Sequence, residues 1–361
     1  MTASDTSGTS ASWEELGGWP SVLGALTRRK DLDQSVAGAA MGQILDGQAT
    51  PSQVAGYIVA LRMKGETTAE LTGMVNAMLD RAVQVELDEP EGVIDLVGTG
   101  GDGSGSINVS TLAALTVAGA GAKVCKHGNR AASSMCGTAD LLEVLGVAVE
   151  LGPVGVAECV TQAGIGFCFA PQYHSAMRFA GPSRREMGIP TVFNFIGPLA
   201  NPARVKRQVT GVSDPSMAER MIDVLAESGS ERSMVVYGHD GLDELTVTTS
   251  STILELRDGE VRTYDLHPKA LGIAGATADQ LRGGAPELNA QFAHEILSGV
   301  EGPKADIVAL NAAAGLIVAG VVDDFRSGLE LARTSLAEGR AAKALEVMVS
   351  TSQKAKASQP G

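Results

Sequence analysis

The sequence predicts an α/β protein in two parts: a small α-helical N-terminal domain, and a large α/β domain with a central, mostly parallel sheet. Three observations carry this expectation. Helix-start signals and helical periodicity, without a convincing strand, run from Trp19 to about Leu87. The charged, Pro- and Gly-containing stretch Asp88-Glu89-Pro90-Glu91-Gly92 then marks a change of period. Beyond it, short apolar runs alternate with helical stretches, the pattern of parallel strands joined by helices.

In the first part, Pro20 suits a first helical turn, and Val22, Leu23 and Leu26 follow it. Val36, Ala40 and Ile44 are spaced to share one helical face. Gly47 fits just past a helix end. Thr50-Pro51-Ser52-Gln53 is a start signal, with Thr50 as N-cap, Pro51 in the first turn and Gln53 closing a capping box. Thr67 and Glu70 repeat that logic ahead of Leu71, Val75 and Leu79, so about four helices are expected here. Strands are expected at Val93–Val97, Lys123–Lys126, Val147–Leu151, Gly166–Ala170, Gln208–Val212 and Ser233–Tyr237. Thr252–Leu256 and Val261–Leu266 flank Asp258-Gly259 and read as a hairpin. From Pro286 to Ser350 the chain is again helical, notably over Asp306–Ala319. Pro182–Asn201 interrupts the alternation and suits either domain. The expected division is a disordered tail over 1–18, a helical domain over 19–90, an α/β domain over 91–182 and 208–350, and a second tail over 351–361.

Composition narrows the functional classes. The chain has 361 residues, 44% of them hydrophobic and 19% charged, as in an ordinary soluble globular protein. A net charge of −14 argues against a protein that wraps nucleic acid, and an anionic substrate would need its own cluster of bases. Cys125, Cys136, Cys159 and Cys168 show no CxxC spacing and read as reduced, buried thiols of a cytoplasmic protein. No run approaches ~18 strongly apolar residues, so no membrane span is expected. The N-terminal stretch lacks the basic and apolar regions of a secretory signal.

The candidate chemistry centres on Val93–Thr111. An apolar strand breaks into the glycine turn Gly98-Thr99-Gly100-Gly101-Asp102-Gly103, and Asn108-Val109-Ser110-Thr111 opens a helical run, Leu112–Ala120. A strand, a glycine turn and a helix N-terminus aim backbone N–H groups at one place, which suits phosphate. The turn formally matches a dinucleotide fingerprint. That reading wants an acid about 20 residues on; here the region is Lys123-Val124-Cys125-Lys126-His127, which is basic. The stretch Lys126-His127-Gly128-Asn129-Arg130-Ala131-Ala132-Ser133-Ser134 leaves a second strand and brings two positive charges and several hydrogen-bonding groups to the same sheet edge. Asp243-Glu244 follows the strand Ser233–Tyr237 and fits a Mg²⁺ site completed by substrate phosphates.

Taken in this order, GTGGD, NVST, KHGNRAASS and GLDELT closely resemble the anthranilate phosphoribosyltransferase family, from about Trp19 to Val349. KHGNRAASS is the specific part. The resemblance implies a helical domain that also takes in residues of about 183–207, a homodimer, and Mg²⁺, with two ions per subunit. It implies that phosphoribosyl diphosphate is held by Gly98, Gly101, Asp102, Ser106, Asn108, Val109, Ser110, Thr111, Thr138 and the loop Lys126, His127, Gly128, Asn129, Arg130, Ala131, Ala132, Ser133 and Ser134. Gly98, Asn129, His127, His174 and Arg184 would meet anthranilate; Ser110, Asp243 and Glu244 would hold the metal. Met135 and Cys136 depart from the small polar residues more common after this loop.

The reaction implied is phosphoribosyl transfer from 5-phosphoribosyl 1-diphosphate to the amine of anthranilate, the second step of tryptophan synthesis from chorismate. No general acid or base is expected; Lys126 and Arg184 would act electrostatically. Two alternatives have different chemistry: a pyrimidine nucleoside phosphorylase-like enzyme, which shares the fold, and a non-catalytic nucleic-acid-binding relative. The acidic composition and the intact motifs speak against the second.

Overall fold

The computed structural model describes residues 12–131 and 134–359. The chain divides into two compact units, one formed by the chain up to Arg81 with Ala176–Ile196, the other by Ala82–Ser175 with the chain from Gly197 onward.

The first unit is helical: α1 (Gly18–Thr27), α2 (Gln34–Leu45), α3 (Pro51–Lys64) and α4 (Thr68–Leu79). Both capping boxes read from the sequence are present. Gln53 N–H donates to Thr50 Oγ1 while Gln53 Oε1 accepts from Thr50 N–H, and Thr67 with Glu70 does the same. Glu70 does more than cap. Its carboxylate also accepts from Leu32 N–H and from Lys64 Nζ, each at 2.9 Å, which ties the α1–α2 connection to the end of α3.

Order in this unit begins before Gly18. Trp13 packs edge-on against Trp19, which packs edge-on against Tyr57, and Gly18 N–H donates to Trp13 O. The expected tail over 1–18 is therefore corrected for residues 12–18; residues 1–11 lie outside the described part. The inserted segment also differs from the expected 183–207. It spans Ala176–Ile196 and joins the helical unit, with Ser183 Oγ donating to Pro51 O and Arg62 lying over the Phe195 ring. Residues after Gly197 go with the sheet because Asn201 is bonded there: its Nδ2 donates to Asp95 Oδ2 and to Cys125 O.

The second unit is built on a seven-stranded sheet in the order β3-β2-β1-β4-β5-β6-β7. The strands are β1 (Ile94–Gly98), β2 (Val124–Gly128), β3 (Ile165–Phe169), β4 (Arg207–Gly211), β5 (Arg232–Gly238), β6 (Ser251–Arg257) and β7 (Glu260–Leu266). The pairs among β1–β5 are parallel; β6 and β7 add an antiparallel hairpin, as the Asp258-Gly259 signal implies. Helices α5 (Val109–Gly119), α6 (Thr138–Val144), α7 (Pro153–Ala163), α8 (Ala218–Glu227), α9 (Pro286–Leu297), α10 (Pro303–Ala319), α11 (Phe325–Ala337) and α12 (Arg340–Ser358) complete it. The main core lies where α5 and α10 pack on the sheet and α11 and α12 pack against α5 in turn.

Two expectations fail here for physical reasons. Val147–Leu151 is buried and apolar but is not a strand. Its backbone is served elsewhere: Ala148 N–H donates to Ser352 Oγ, and Leu151 O accepts from Tyr173 Oη. A short apolar run cannot say whether its partner is a strand or a helix. The tail expected over 351–361 is instead the end of α12 as far as Ser358, burying Thr351, Ser352 and Ala355. Those small residues pack α12 against α7.

Candidate active site

The strand order reverses around β1: β2 lies on one side and β4 on the other. Ligands of open α/β sheets sit at the C-terminal ends of strands at such a switch point. Four strands that meet there, β1, β2, β4 and β5, all end in glycine: Gly98, Gly128, Gly211 and Gly238. At two of them the reason is direct. A Cβ on Gly98 would stand 2.4 Å from Asp243 Oδ2, and one on Gly211 would stand 1.6 Å from the Asp243 carbonyl oxygen. Gly98 and Gly211 are register partners, so the pair opens the gap through which Asp243 enters.

The acidic pair closes onto the glycine turn and the helix start. Gly100 N–H donates to Asp243 Oδ2 at 2.7 Å, and Ser110 N–H donates to Glu244 Oε1 at 3.1 Å. Helix α5 begins at Val109, earlier than the expected Leu112, so Ser110 lies in its first turn, where the dipole favours an anion. Two amides that the sequence offers to phosphate are thus bonded to the protein's own carboxylates. Burial pushes the Asp243 carboxyl up to about 6, and the neighbouring Asp102 charge adds to that. Burial and then Asp243 push Glu244 well above its ordinary range, against the pull of Lys126.

Lys126 is 2% exposed. Its ammonium donates to Leu96 O and to Ser110 Oγ. Burial lowers its pKa, while Asp95, Glu244 and Asp243 oppose the shift. Asp95 is pushed up to about 6 by burial despite Lys126 and the donors Asn201 and His127 N–H. Asp95, Asp243 and Glu244 therefore gather around one buried lysine, and Asp102 stands beside the Asp243-Glu244 pair, an excess of acid that a cation would balance. Among the described residues, no three His, Cys, Asp or Glu side chains converge as a metal site. The pair Asp243 and Glu244 offers the one or two carboxylates that Mg²⁺ takes before completing its shell with water and phosphate oxygens.

The basic loop is held in place by bonds within the unit. His127 is a neutral imidazole, because burial holds its pKa well below the usual value, with His174 and Lys126 adding to the effect. Its ring lies 5.1 Å from that of His174, whose Nε2 bonds Ala200 O. His127 Nε2 is buried and, among the described residues, has no hydrogen-bond partner. Asn129 Oδ1 accepts from Arg130 N–H, and Asn129 O from Ala139 N–H. Arg130 is engaged elsewhere than the glycine turn: both terminal nitrogens donate to Glu143, one also reaches Asp140, and the guanidinium lies over Phe169. Ala131 N–H donates to Asp140 Oδ2. Ala132 and Ser133 lie outside the described residues.

The turn, the loop and the helix start are joined by side chains. Thr111 Oγ1 meets Thr138 Oγ1 at 3.1 Å. Asn108 Nδ2 donates to Cys136 O, and Asn108 Oδ1 accepts from Asn289 Nδ2. Ser134 Oγ donates to Cys136 O, the Ser106 backbone pairs with that of Arg282 in an isolated antiparallel bridge, and the Val109 side chain is in the core. Gly101 has φ +80°, and none of the described residues lies within 4 Å of where its Cβ would stand. Arg184 belongs to the helical unit, where its guanidinium lies 5.1 Å over the Phe193 ring. Sequence reading missed Asp95, Asn201 and Asn289. Asp95 had a signal: a lone carboxylate inside the apolar run VIDLV needs a buried partner.

Comparison with known proteins agrees with this architecture. Residues 90–342 match the family model described as "Glycosyl transferase family, a/b domain", and residues 20–82 match "Glycosyl transferase family, helical bundle domain". The chain is 47% identical over 334 residues to the anthranilate phosphoribosyltransferase of Chloroflexus aggregans, covering 92% of this chain and 98% of that protein. It superposes on the crystal structure of anthranilate phosphoribosyltransferase from Thermus thermophilus with a TM-score of 0.87 and 41% identity, over 92% of this chain and 99% of that one. The Saccharomyces cerevisiae enzyme, solved in complex with PRPP and Mg, gives a TM-score of 0.86 at 27% identity, over 93% and 98%. Matched in both its domains and along nearly the full length of such relatives, the chain belongs to the anthranilate phosphoribosyltransferase family.

Proposed function

We propose that this protein transfers the phosphoribosyl group of 5-phosphoribosyl 1-diphosphate to the amine of anthranilate, giving N-(5-phosphoribosyl)anthranilate and diphosphate, the second step of tryptophan synthesis from chorismate. The observation that carries the reading is the closure of Asp243 and Glu244 onto Gly100 N–H and Ser110 N–H beside buried Lys126. The relatives that match this chain along nearly its full length are named for this activity, and the yeast enzyme has been solved with PRPP and Mg.

The demanding step is breakage of the C1–O bond to diphosphate. Positive charge develops on the ribose and negative charge on the leaving group. Mg²⁺ held by Asp243, Glu244 and the Ser110 hydroxyl would supply neutralising charge to the diphosphate. Lys126, in a site shielded from water, offers a fixed positive charge to the same oxygens. The attacking aryl amine is neutral near pH 7, and His127 and His174, both shifted down by burial, are neutral too. No strong base is needed, so rate rests on positioning and electrostatics. Asn129, His127 and His174 would line the anthranilate side, and Arg184 would hold its carboxylate through a forked pair. Two ions per subunit, a homodimer and a cytoplasmic location complete the proposal.

The test is loss of anthranilate fluorescence, dependent on both phosphoribosyl diphosphate and Mg²⁺. Arg184→Ala should raise the anthranilate KM and spare that of phosphoribosyl diphosphate; unchanged anthranilate kinetics would remove Arg184 from the site. Phosphate-dependent release of free base from nucleosides, with no loss of anthranilate, would point instead to a phosphorylase.

A further inference from the structure

We propose that Asn311, outside every motif of the site, is a positioning residue for the transfer: its carboxamide fixes the loop that carries Asp243 and Glu244. The inference rests on the role assigned above to those two carboxylates.

Helix α10 runs through the core, and every residue from Ile307 to Val318 is buried. Asn311 is the polar side chain in that otherwise apolar stretch, and it is 1% exposed. A carboxamide buried there is costly unless it is bonded. Its bonds go to the main chain of a single loop residue and to its own helix. Leu245 N–H donates to Asn311 Oδ1 at 3.0 Å, and Asn311 Nδ2 donates to Leu245 O at 2.8 Å. The remaining Nδ2 hydrogen goes to Ile307 O at 2.9 Å, one turn back. The side chain thus acts on Leu245 as a neighbouring strand would, satisfying both of its backbone groups.

Leu245 is fully buried and directly follows Asp243-Glu244. On their far side those carboxylates are held by Gly100 N–H and Ser110 N–H. The loop is therefore gripped from two directions, by the glycine turn and helix start on one side and by α10 on the other. Beyond Leu245, the Thr246 and Thr248 hydroxyls donate to Asp240, and Thr246 N–H donates to Ser251 Oγ; these bonds shape the loop without tying it to α10. Groups that orient metal ligands typically change metal affinity by 10–100-fold when removed.

The experiment measures binding of phosphoribosyl diphosphate across a Mg²⁺ titration by calorimetry, on the full chain without anthranilate, together with thermal melts and the KM of each substrate. Asn311→Ala should weaken Mg²⁺-dependent binding by roughly 10–100-fold and leave the anthranilate KM within about twofold. Asn311→Asp keeps the volume and the acceptor for Leu245 N–H but turns a carboxylate oxygen toward Leu245 O and Ile307 O. It should fall with the alanine variant, and it serves as the test if alanine prevents folding. Ile317→Ala, further along α10, should lower the melting temperature without changing Mg²⁺-dependent binding. Asn311 variants that melt early yet bind as tightly as the parent, or that weaken both substrates equally, overturn the proposal. A parent protein that fails to bind phosphoribosyl diphosphate with Mg²⁺ overturns the underlying function instead.

Discussion

Replacing Gly98 with alanine tests whether the glycine that ends β1 serves the carboxylate rather than the strand. Gly98 lies in ordinary extended backbone, since it is not among the glycines with positive φ, so alanine brings no conformational strain. What it brings is a Cβ 2.4 Å from Asp243 Oδ2 and 3.2 Å from Asp243 Cγ. Ordinary contact requires the carboxylate oxygen to retreat by about 1 Å. The bond it would stretch, Gly100 N–H to Oδ2, is 2.7 Å long, and a separation about 1 Å greater is no longer a hydrogen bond. A hydrogen bond to a charged group contributes roughly 1.5–3 kcal/mol, which corresponds to a loss of roughly 10–150-fold if it is needed in the transition state. The expected outcome is a fall of that size in kcat/KM for phosphoribosyl diphosphate, measured by anthranilate fluorescence across a Mg²⁺ titration, with a small change in urea midpoint. Gly100→Ala is the contrast: its φ of +67° makes alanine strained, but none of the described residues lies within 4 Å of the added carbon. It should cost about 1–2 kcal/mol of stability through the backbone. A Gly98→Ala enzyme within about twofold of the parent at every Mg²⁺ concentration would refute the account of this glycine.

Two further outcomes follow from buried and capping carboxylates. In the helical unit, Glu70→Ala removes the acceptor of Leu32 N–H and Thr67 N–H and one of the two carboxylate partners of Lys64, which keeps Asp31 at 2.7 Å; the side chains of Glu70 and Lys64 are 0% and 3% exposed. Leaving those buried donors without their acceptor costs about 1–3 kcal/mol; urea unfolding showing less than about 0.5 kcal/mol would refute it. In the sheet unit, burial raises the pKa of Asp140, but Ala131 N–H, Gly137 N–H and Arg130 outweigh it, so the net shift is down from 3.8. A carboxyl with a depressed folded pKa adds stability above its unfolded value, and that stability is lost as pH falls through the folded one. Urea midpoints followed below about pH 4 should fall more steeply for the parent than for Asp140→Asn, and equal slopes would count against a stabilising role for these bonds.

Much of the architecture was legible in local chemistry. Thr50 with Gln53 and Thr67 with Glu70 form the expected boxes because a capping box involves residues three apart and needs no distant partner. The change from helical to alternating pattern placed most of the strands, and Asp258-Gly259 placed the hairpin turn. Where the sequence erred, the deciding partner was far away in the chain. Val147–Leu151 is not a strand because Ser352 and Tyr173 take its backbone groups, and 351–358 is not a tail because its small residues pack on α7.

At the site, the order of the motifs along the chain was enough to name which residue types belong together: a glycine turn, a basic loop and an acidic pair. That order could not say that Asp243 enters between Gly98 and Gly211, that Arg130 turns to Glu143 and Asp140, or that Asn289 and Asn311 brace loops far from them in sequence. Residue type and local spacing determined the helices, the strands and the chemistry on offer, because caps, periods and turns are short-range. Only the tertiary structure decided how that chemistry is held, because a buried carboxylate or carboxamide is satisfied by whichever backbone the fold brings within about 3 Å, irrespective of its place in the chain.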